Sequence, residues 1–113
     1  MDKNEIIYLA APYTHADSSV CEERFEKITE YAASLIRKQM IVLSPVTMCH
    51  PMTKYGLLGD WQFWERFDRA YLMLCSRMIV LCLPGWKESK GVQAEIQIMK
   101  ELGKPVEYVE IGD

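Results

Sequence analysis

The run MIVLCL, residues 78–83, is the most continuous apolar segment of the sequence, and PGW, residues 84–86, ends it. Every position of the run is apolar, so neither of its faces is suited to water. A strand of this kind is typical of a parallel sheet that is covered by helices on both faces. The run therefore predicts a buried strand of an α/β fold.

Strand-like and helix-like patterns alternate on either side of this run. The predicted strands are residues 6–10, 40–43, 78–83 and 105–109. The predicted helices, in which apolar residues recur at helical spacing, are residues 19–38, 61–75 and 91–102. Ser18 or Ser19 is expected to cap the first helix and Asp60 the second, and Gly103 is expected to end the third. Residues 46–59 are predicted to form a loop with one helical turn.

The order of these elements predicts how the sheet is built. Strands that alternate with helices imply parallel pairing and right-handed crossovers. We therefore expect an α/β fold with a small doubly wound, flavodoxin-like or Rossmann-like parallel sheet of four to five strands, with helices on both faces. A length of 113 residues suits a single domain over residues 1–113. Ligands of such sheets bind outside the carboxyl ends of the strands, so the functional residues are expected there.

The composition excludes several classes of partner. The net charge is −3 and no five like charges adjoin, so a nucleic acid polymer is not expected. No apolar stretch reaches the roughly 18 residues of a membrane span, and no signal-peptide pattern is present, so we expect a cytoplasmic protein with no membrane partner. Cys21, Cys49, Cys75 and Cys82 are expected to be reduced thiols. The adjacent Cys49-His50 lacks further ligands, so neither a metal nor another cofactor is predicted.

Two carboxylates fall on helix faces that should point at the sheet. Glu95 lies near the start of the last helix, within an apolar stripe of Val92, Ile96, Met99 and Leu102. Asp68 lies in the middle of a stripe formed by Trp61, Trp64, Tyr71, Leu72 and Cys75. Burying an ionised carboxylate costs several kcal/mol unless it is paired or its pKa rises. Either acid alone could simply accept structural hydrogen bonds. Both together favour paired acid chemistry, with one nucleophile and one proton donor.

Four short motifs occur in order along the chain: YLAAP at residues 8–12, Asp68 eight residues before Ser76, SKGVQAE at residues 89–95, and GKP at residues 103–105. By these motifs and their order, the sequence resembles the nucleoside 2-deoxyribosyltransferase-like superfamily. Within it, the sequence most resembles a short bacterial and phage branch that is similar to nucleoside 5′-monophosphate N-glycosidases. The resemblance extends from Tyr8 to about Tyr108. It implies that Glu95 attacks the anomeric carbon, that Tyr8 orients Glu95, and that Asp68 contacts or protonates the base.

The resemblance also bears on a phosphate. Nucleoside transferases carry an acid at the position of Ser89, where it binds the sugar 5′-hydroxyl, whereas the monophosphate-hydrolysing branch carries a serine as here. Ser89 and the amides of Gly91 and Val92 would open a helix, which suits an anion. The early phosphate-binding arginine of that branch corresponds to Thr14, and Arg24, His15 or Lys90 could replace it. Relatives complete the site from a neighbouring subunit, which implies a homodimer or higher homo-oligomer.

The remaining candidate substrate-binding residues lie at the expected strand ends or on the aromatic helix face. They are Ala10, Pro12, His50, Trp61, Trp64 and Trp86. Trp61 and Trp64 could stack on a base above Asp68 or simply pack in the core.

Together these features predict an enzyme whose partner is a small-molecule nucleotide or nucleoside. The expected function is an N-glycosidase that hydrolyses the base–sugar bond through a covalent glycosyl–Glu95 intermediate. The alternatives are a nucleoside 2-deoxyribosyltransferase that exchanges bases, and a non-catalytic nucleotide-binding or sensing module. A pure binder has no need to bury two acids.

Overall fold

The computed structural model describes residues 4–57 and 61–111, and within them the chain forms four strands and four α-helices. The strands are β1 (Ile6–Ala10), β2 (Ile41–Leu43), β3 (Arg77–Leu81) and β4 (Val106–Val109). The helices are α1 (Ser18–Arg37), α2 (Pro45–Cys49), α3 (Trp61–Leu74) and α4 (Lys90–Glu101), and a 3₁₀ helix (His50–Tyr55) follows α2. None of the helices in the described ranges is long and apolar enough to cross a membrane.

All strands pair in parallel, in the order β2-β1-β3-β4. The chain moves outward from β1 to β2 and then crosses back to β3 on the other side of β1. At this switch point the loops that follow β1 and β3 diverge, which opens a crevice at the carboxyl edge. The predicted fold class is therefore confirmed, with four strands in the sheet.

The alternation of side chains along β1 divides the interior into two apolar cores. Ile7 and Leu9 face α1, whose buried residues in this core are Ile28, Ala32 and Leu35. Tyr8 and Ala10 face the opposite core, which α3 and α4 fill with Leu72, Val92, Ile96, Ile98 and Met99. Successive strand residues point to opposite faces, so a sheet buried on both sides needs apolar residues at every position. The only polar atom that β1 brings into these cores from a side chain is the Tyr8 hydroxyl.

Several expected element ends are wrong. The first helix is capped by Asp17 rather than Ser18 or Ser19, because the Asp17 carboxylate accepts a hydrogen bond from the Ser19 amide at 2.9 Å. Leu102 is 40% exposed instead of buried, since α4 ends at Glu101 and Gly103 turns the chain away with a φ of 70°. The expected cap at Asp60 lies outside the described residues.

The segment after β2 is also more helical than the sequence predicts. Instead of a loop with one turn, α2 and the 3₁₀ helix run consecutively from Pro45 to Tyr55. Pro45 stands in the first turn of α2, where its fixed φ suits a helix and its missing amide hydrogen leaves no bond unmade. This helical segment forms one wall of the crevice.

Arg24 of α1 joins the two loops that border the crevice. Its Nη1 donates to the Thr14 carbonyl at 3.0 Å, and its Nη2 donates to the Pro84 carbonyl at 3.1 Å. Gly85 has a φ of 93°, and a Cβ there would lie 2.8 Å from Arg24 Nη2. The backbone conformation therefore favours glycine, and a larger residue would also have to displace the end of the Arg24 side chain.

Candidate active site

A cavity of about 550 Å³ opens at the carboxyl ends of β1 and β3. Its walls are the loop after β1, the helical segment after β2, the beginning of α3 and the loop that leads into α4. This volume falls within the range of about 300–1,000 Å³ that is usual for small-molecule sites. The cavity lies at the switch point of the sheet, where a ligand of this fold is expected.

Tyr8 and Glu95 meet at the floor of this cavity. Tyr8 is wholly buried on β1, and Glu95 in the second turn of α4 is only 8% exposed. The Tyr8 hydroxyl donates a short hydrogen bond to Oε2 of Glu95. A buried phenol needs a partner for its polar end, and the carboxylate supplies it. The central strand thus holds one Glu95 oxygen in a fixed position.

Asp68 of α3 completes the cluster from a third element. It is 8% exposed and lines the cavity together with Tyr8 and Glu95. Its carboxyl group is close enough to share hydrogen bonds with both of them. The sequence-predicted catalytic residues therefore come together, although they lie far apart along the chain. Since α3 and α4 pack on the same face of the sheet, their two inward acids converge.

Burial raises the pKa of all three groups. It raises the pKa of Asp68 from 3.8 to about 6. Burial, and then the charge of Asp68, raises the pKa of Glu95 well above its usual range, while the hydrogen bond from Tyr8 partly offsets that rise. The pKa of Tyr8 is raised as well, by burial first and by both acids next. Two adjacent acids in such surroundings therefore release their protons at higher pH than exposed carboxyl groups do, and their titrations depend on each other.

Most of the other predicted substrate-binding residues also line the cavity. They are Ala10, His50, Trp61, Trp64, Ser89, Gly91 and Val92. Two are not part of its wall. Pro12 is fully buried. Trp86 is carried by the turn after Pro84 towards β4, where its ring lies 5.5 Å from that of Tyr108 and borders a separate depression.

The beginning of α4 differs in detail from the predicted anion site. Ser89 caps the helix, and its Oγ accepts a hydrogen bond from the Val92 amide at 3.3 Å. The Val92 amide is thus used inside the helix, and the Val92 side chain is buried in the core. A Cβ at Gly91 would meet only ordinary contacts, at 3.8 Å from the Trp61 ring, so packing alone does not require glycine there. The open face of Gly91 and the Ser89 hydroxyl remain as candidate ligand contacts.

The three residues that could replace the phosphate-binding arginine differ in whether they line the cavity. Arg24 is engaged with the carbonyl groups of Thr14 and Pro84, so its guanidinium serves the loops. His15 and Lys90 both line the cavity. Of these two, Lys90 stands beside Ser89 at the beginning of α4 and brings a positive charge to that edge.

Tyr13, which the sequence did not mark as a candidate, is a further polar residue of the site. Tyr13 lines the cavity and is hydrogen-bonded to Nδ1 of His50 at 2.5 Å. Nε2 of the same ring is 3.1 Å from Oε2 of Glu22. Both ring nitrogens of His50 are therefore engaged by protein, which departs from its predicted direct contact with a ligand. The available signal for Tyr13 was its position directly after Pro12, which ends the first strand.

The raised pKa of Asp68 generates a stability prediction. The folded state binds the Asp68 proton more tightly than the unfolded state, so this group favours folding below about pH 4 and loses that contribution as pH rises through about 6. We expect Asp68→Asn, which cannot ionise, to raise the free energy of unfolding by about 1–3 kcal/mol at neutral pH and by much less near pH 4. Denaturant titrations at both pH values measure this.

An exposed carboxyl group provides the control for that comparison. Glu26→Gln on α1 should leave the difference between the two pH values unchanged, since Glu26 faces solvent. If Asp68→Asn lowers the free energy of unfolding equally at both pH values, the acid is a structural hydrogen-bond acceptor instead.

Comparison with known families places the whole fold and its cavity within one family. A family model described as a domain of unknown function (DUF1937) matches residues 5–111. No curated protein gave a significant match. The matched range contains every strand and helix described above and all residues of the Tyr8–Asp68–Glu95 cluster. Because the match covers nearly the entire chain, the protein belongs to the DUF1937 family.

Proposed function

We propose that this protein is an N-glycosidase that hydrolyses the base–sugar bond of a nucleotide or deoxynucleotide. The observation that carries the proposal is the cluster of two buried acids and a tyrosine at the floor of a nucleoside-sized cavity. The resemblance of its motifs to the nucleoside 2-deoxyribosyltransferase-like superfamily supports the same chemistry. No cofactor is needed, because the two acids supply both the nucleophile and the proton.

In the first step, a carboxylate oxygen of Glu95 attacks the anomeric carbon of the sugar. A glycosyl ester forms as the bond between that carbon and the base nitrogen breaks, and its electron pair leaves with the base. Asp68 delivers its proton to the departing base, so the base leaves as a neutral molecule. The raised pKa of Asp68, about 6, suits this role, because the group holds a proton much closer to neutral pH than an exposed aspartate does.

In the second step, water hydrolyses the ester. The Asp68 carboxylate accepts a proton from water as its oxygen attacks the anomeric carbon, and the bond to Glu95 breaks. This step releases the free sugar or sugar phosphate and restores the Glu95 carboxylate and the protonated Asp68. The pair begins and ends the cycle with one proton.

The contact between the two acids supports a covalent route over direct attack by water. Inverting glycosidases separate their carboxyl groups by roughly 6.5–9.5 Å to hold a water molecule between them. Retaining glycosidases, which form a covalent intermediate, place theirs about 5–5.5 Å apart. Asp68 and Glu95 approach closely enough to shift each other's pKa, which is nearer to the retaining arrangement than to the wider one. The contact also lets the shared proton pass from Glu95 to Asp68, so that the nucleophile is ionised when the acid is protonated.

Tyr8 supports the nucleophilic form of Glu95. A hydroxyl that donates to a carboxylate stabilises the charged form, and here it opposes the rise in the pKa of Glu95 that burial causes. The same hydrogen bond fixes one oxygen of Glu95, and the residue lines the cavity. Tyr8 is thus proposed to orient Glu95 and to keep it ionisable.

The cavity walls suggest where the substrate lies. Trp61 and Trp64 precede Asp68 along α3 and are proposed to contact the base. Ser89 and Lys90, at the beginning of α4, are proposed to contact the 5′ end of the sugar. The homo-oligomer implied by the resemblance stays a prediction, to be measured by light scattering.

The nucleophile prediction tests the proposed function most directly. We expect Glu95→Gln to lower the rate of base release by several orders of magnitude, because an amide cannot form the glycosyl ester. Chromatography after incubation with a panel of nucleosides and 5′-monophosphates measures the free base. Glu101→Gln, an exposed change on the same helix, is the matched control.

The same assay separates the alternative functions. Near-normal turnover by Glu95→Gln would exclude the covalent mechanism, and ligand binding without base release from any substrate would indicate a binding module. If a second free base added to the reaction is converted to a new nucleoside, the protein is a transferase.

The role of Asp68 can be tested through the leaving group. We expect Asp68→Asn to lose most activity on natural nucleosides and far less on a 4-nitrophenyl deoxyriboside, whose leaving group departs without a proton. Steady-state kcat/KM for both substrates gives the comparison. Equal losses on the two substrates would remove Asp68 from the role of acid.

The beginning of α4 is proposed to prefer a substrate that carries a 5′-phosphate. We expect a 5′-monophosphate to be preferred over its nucleoside by about tenfold or more, from one charge-assisted hydrogen bond and the helix amino terminus. Ser89→Asp should reverse this preference, because it places a negative charge against the phosphate. Comparison of kcat/KM for one nucleoside and its monophosphate is decisive. If the wild-type protein prefers the nucleoside, no phosphate site exists.

A further inference from the structure

A second polar network borders the cavity, separate from the acid cluster. It consists of Tyr13 after β1, His50 at the beginning of the 3₁₀ helix, and Glu22 on α1. The His50 ring is held by stacking on Phe25, with ring centroids 4.3 Å apart, and by an edge contact with Tyr13 at 5.5 Å. Three different segments therefore fix the position of one imidazole ring.

The partners of the ring determine which way its hydrogen bonds run. A carboxylate can only accept, so Nε2 of His50 carries the hydrogen that points at Glu22. In the neutral ring, Nδ1 then has a lone pair and no hydrogen. The hydroxyl of Tyr13 must therefore donate its single hydrogen to Nδ1. What Tyr13 has left for a ligand is an oxygen lone pair, which can only accept.

The network borders the same cavity as Asp68. Cys49, the residue before His50, lines the cavity and has its pKa raised by burial and by the charge of Asp68. Cys49 and Glu22 in turn raise the pKa of the Tyr13 hydroxyl, after burial. Ser89 and Lys90, the proposed contacts of the sugar 5′ end, belong to the loop that leads into α4. Tyr13 and Asp68 line the same cavity, so a base that lies against Asp68 can also present a polar group to Tyr13.

We propose that the Tyr13 hydroxyl, held as an acceptor by His50 and Glu22, selects nucleobases that carry an exocyclic amino group. This inference rests on the proposed function, since it assumes that the ligand is a nucleoside or nucleotide. An amino group would donate to Tyr13, whereas a carbonyl group at the same position would set two lone pairs against each other. Tyr13 is the specificity-determining residue, and His50 and Glu22 are positioning residues that act through it.

Matched pairs of substrates that differ only in this group test the proposal. The pairs are deoxycytidine with deoxyuridine and deoxyadenosine with deoxyinosine, each also as its 5′-monophosphate. At about pH 8, where a histidine ring is ordinarily neutral, we expect the amino member of at least one pair to have a kcat/KM that is about tenfold higher or more. The ratio within a pair does not depend on the fraction of protein that is folded and active.

Variants then assign the preference to the network. Tyr13→Phe should reduce the ratio to about threefold or less, because it removes the acceptor and keeps the ring. Glu22→Gln should also reduce it, since a glutamine side chain can accept from or donate to Nε2 and no longer fixes the ring hydrogen. Glu23→Gln, one residue along α1 and exposed, should keep the wild-type ratio.

The outcomes separate this inference from the proposed function. Base release with equal rates for both members of each pair, a preference for the carbonyl member, or an unchanged ratio in Tyr13→Phe would overturn the inference and leave the glycosidase intact. If no substrate releases base, calorimetric titration of Glu95→Gln with the same pairs decides. Tighter binding of an amino member that is lost in the Tyr13→Phe, Glu95→Gln double variant supports the inference, and equal binding or no binding overturns it.

Discussion

The contact between Asp68 and Glu95 is the constraint on which the rest of the structure depends. Two carboxyl groups that have left water repel each other when both are ionised, and each loses its hydration. The cluster is tolerated because raised pKa values favour the uncharged form of the acids and because the Tyr8 hydroxyl donates to Glu95. A fold that stabilises such a pair must bring three elements to one point, and the sheet, α3 and α4 do so here.

The strand order explains why that point is also accessible. β1 and β3 are the two central strands, and the loops that leave them diverge at the carboxyl edge, so the floor of the crevice is made of the most buried part of the sheet. Tyr8 on β1 is consequently both rigid and next to the cavity. Arg24 holds the two loops at a fixed separation through their carbonyl groups, and Gly85 provides the space for its guanidinium. An arginine in this role strengthens the frame of the site.

The two polar networks of the cavity differ in what they can do. The Tyr8–Asp68–Glu95 cluster contains two acids with raised pKa values, which is what the proposed proton transfer to a leaving base requires. In the Tyr13–His50–Glu22 network each hydrogen has a defined acceptor, so the network presents a fixed hydrogen-bonding pattern to a ligand. Under the proposed function, the first network would cleave the bond and the second would select the base attached to it.

Much of the fold and part of the site follow from the sequence itself. The apolar run at residues 78–83 and the alternation of strands and helices determine a parallel α/β sheet, because only a sheet covered on both faces buries so continuous a run. Helical periodicity alone marks Asp68 and Glu95 as inward acids, since the spacing of apolar neighbours defines the buried face. The ends of the helices do not follow from the sequence in the same way. Asp17 and Ser18 are equally good caps by residue type, and the structure uses Asp17. Leu102 is apolar, yet it lies beyond the last turn of α4.

Only the tertiary structure decided which side chains meet. Trp86 turns away from the cavity because the turn at Pro84 and Gly85 directs it onto Tyr108, and a local pattern does not contain that direction. Tyr13, His50 and Glu22 join across three segments, so no spacing along the chain marks them as a network. The sequence by itself determined the faces of helices and strands, which depend on local periodicity. How those faces pair depends on long-range packing, which periodicity does not encode. The same packing brings Asp68 to Glu95 and the Tyr13 hydroxyl to His50.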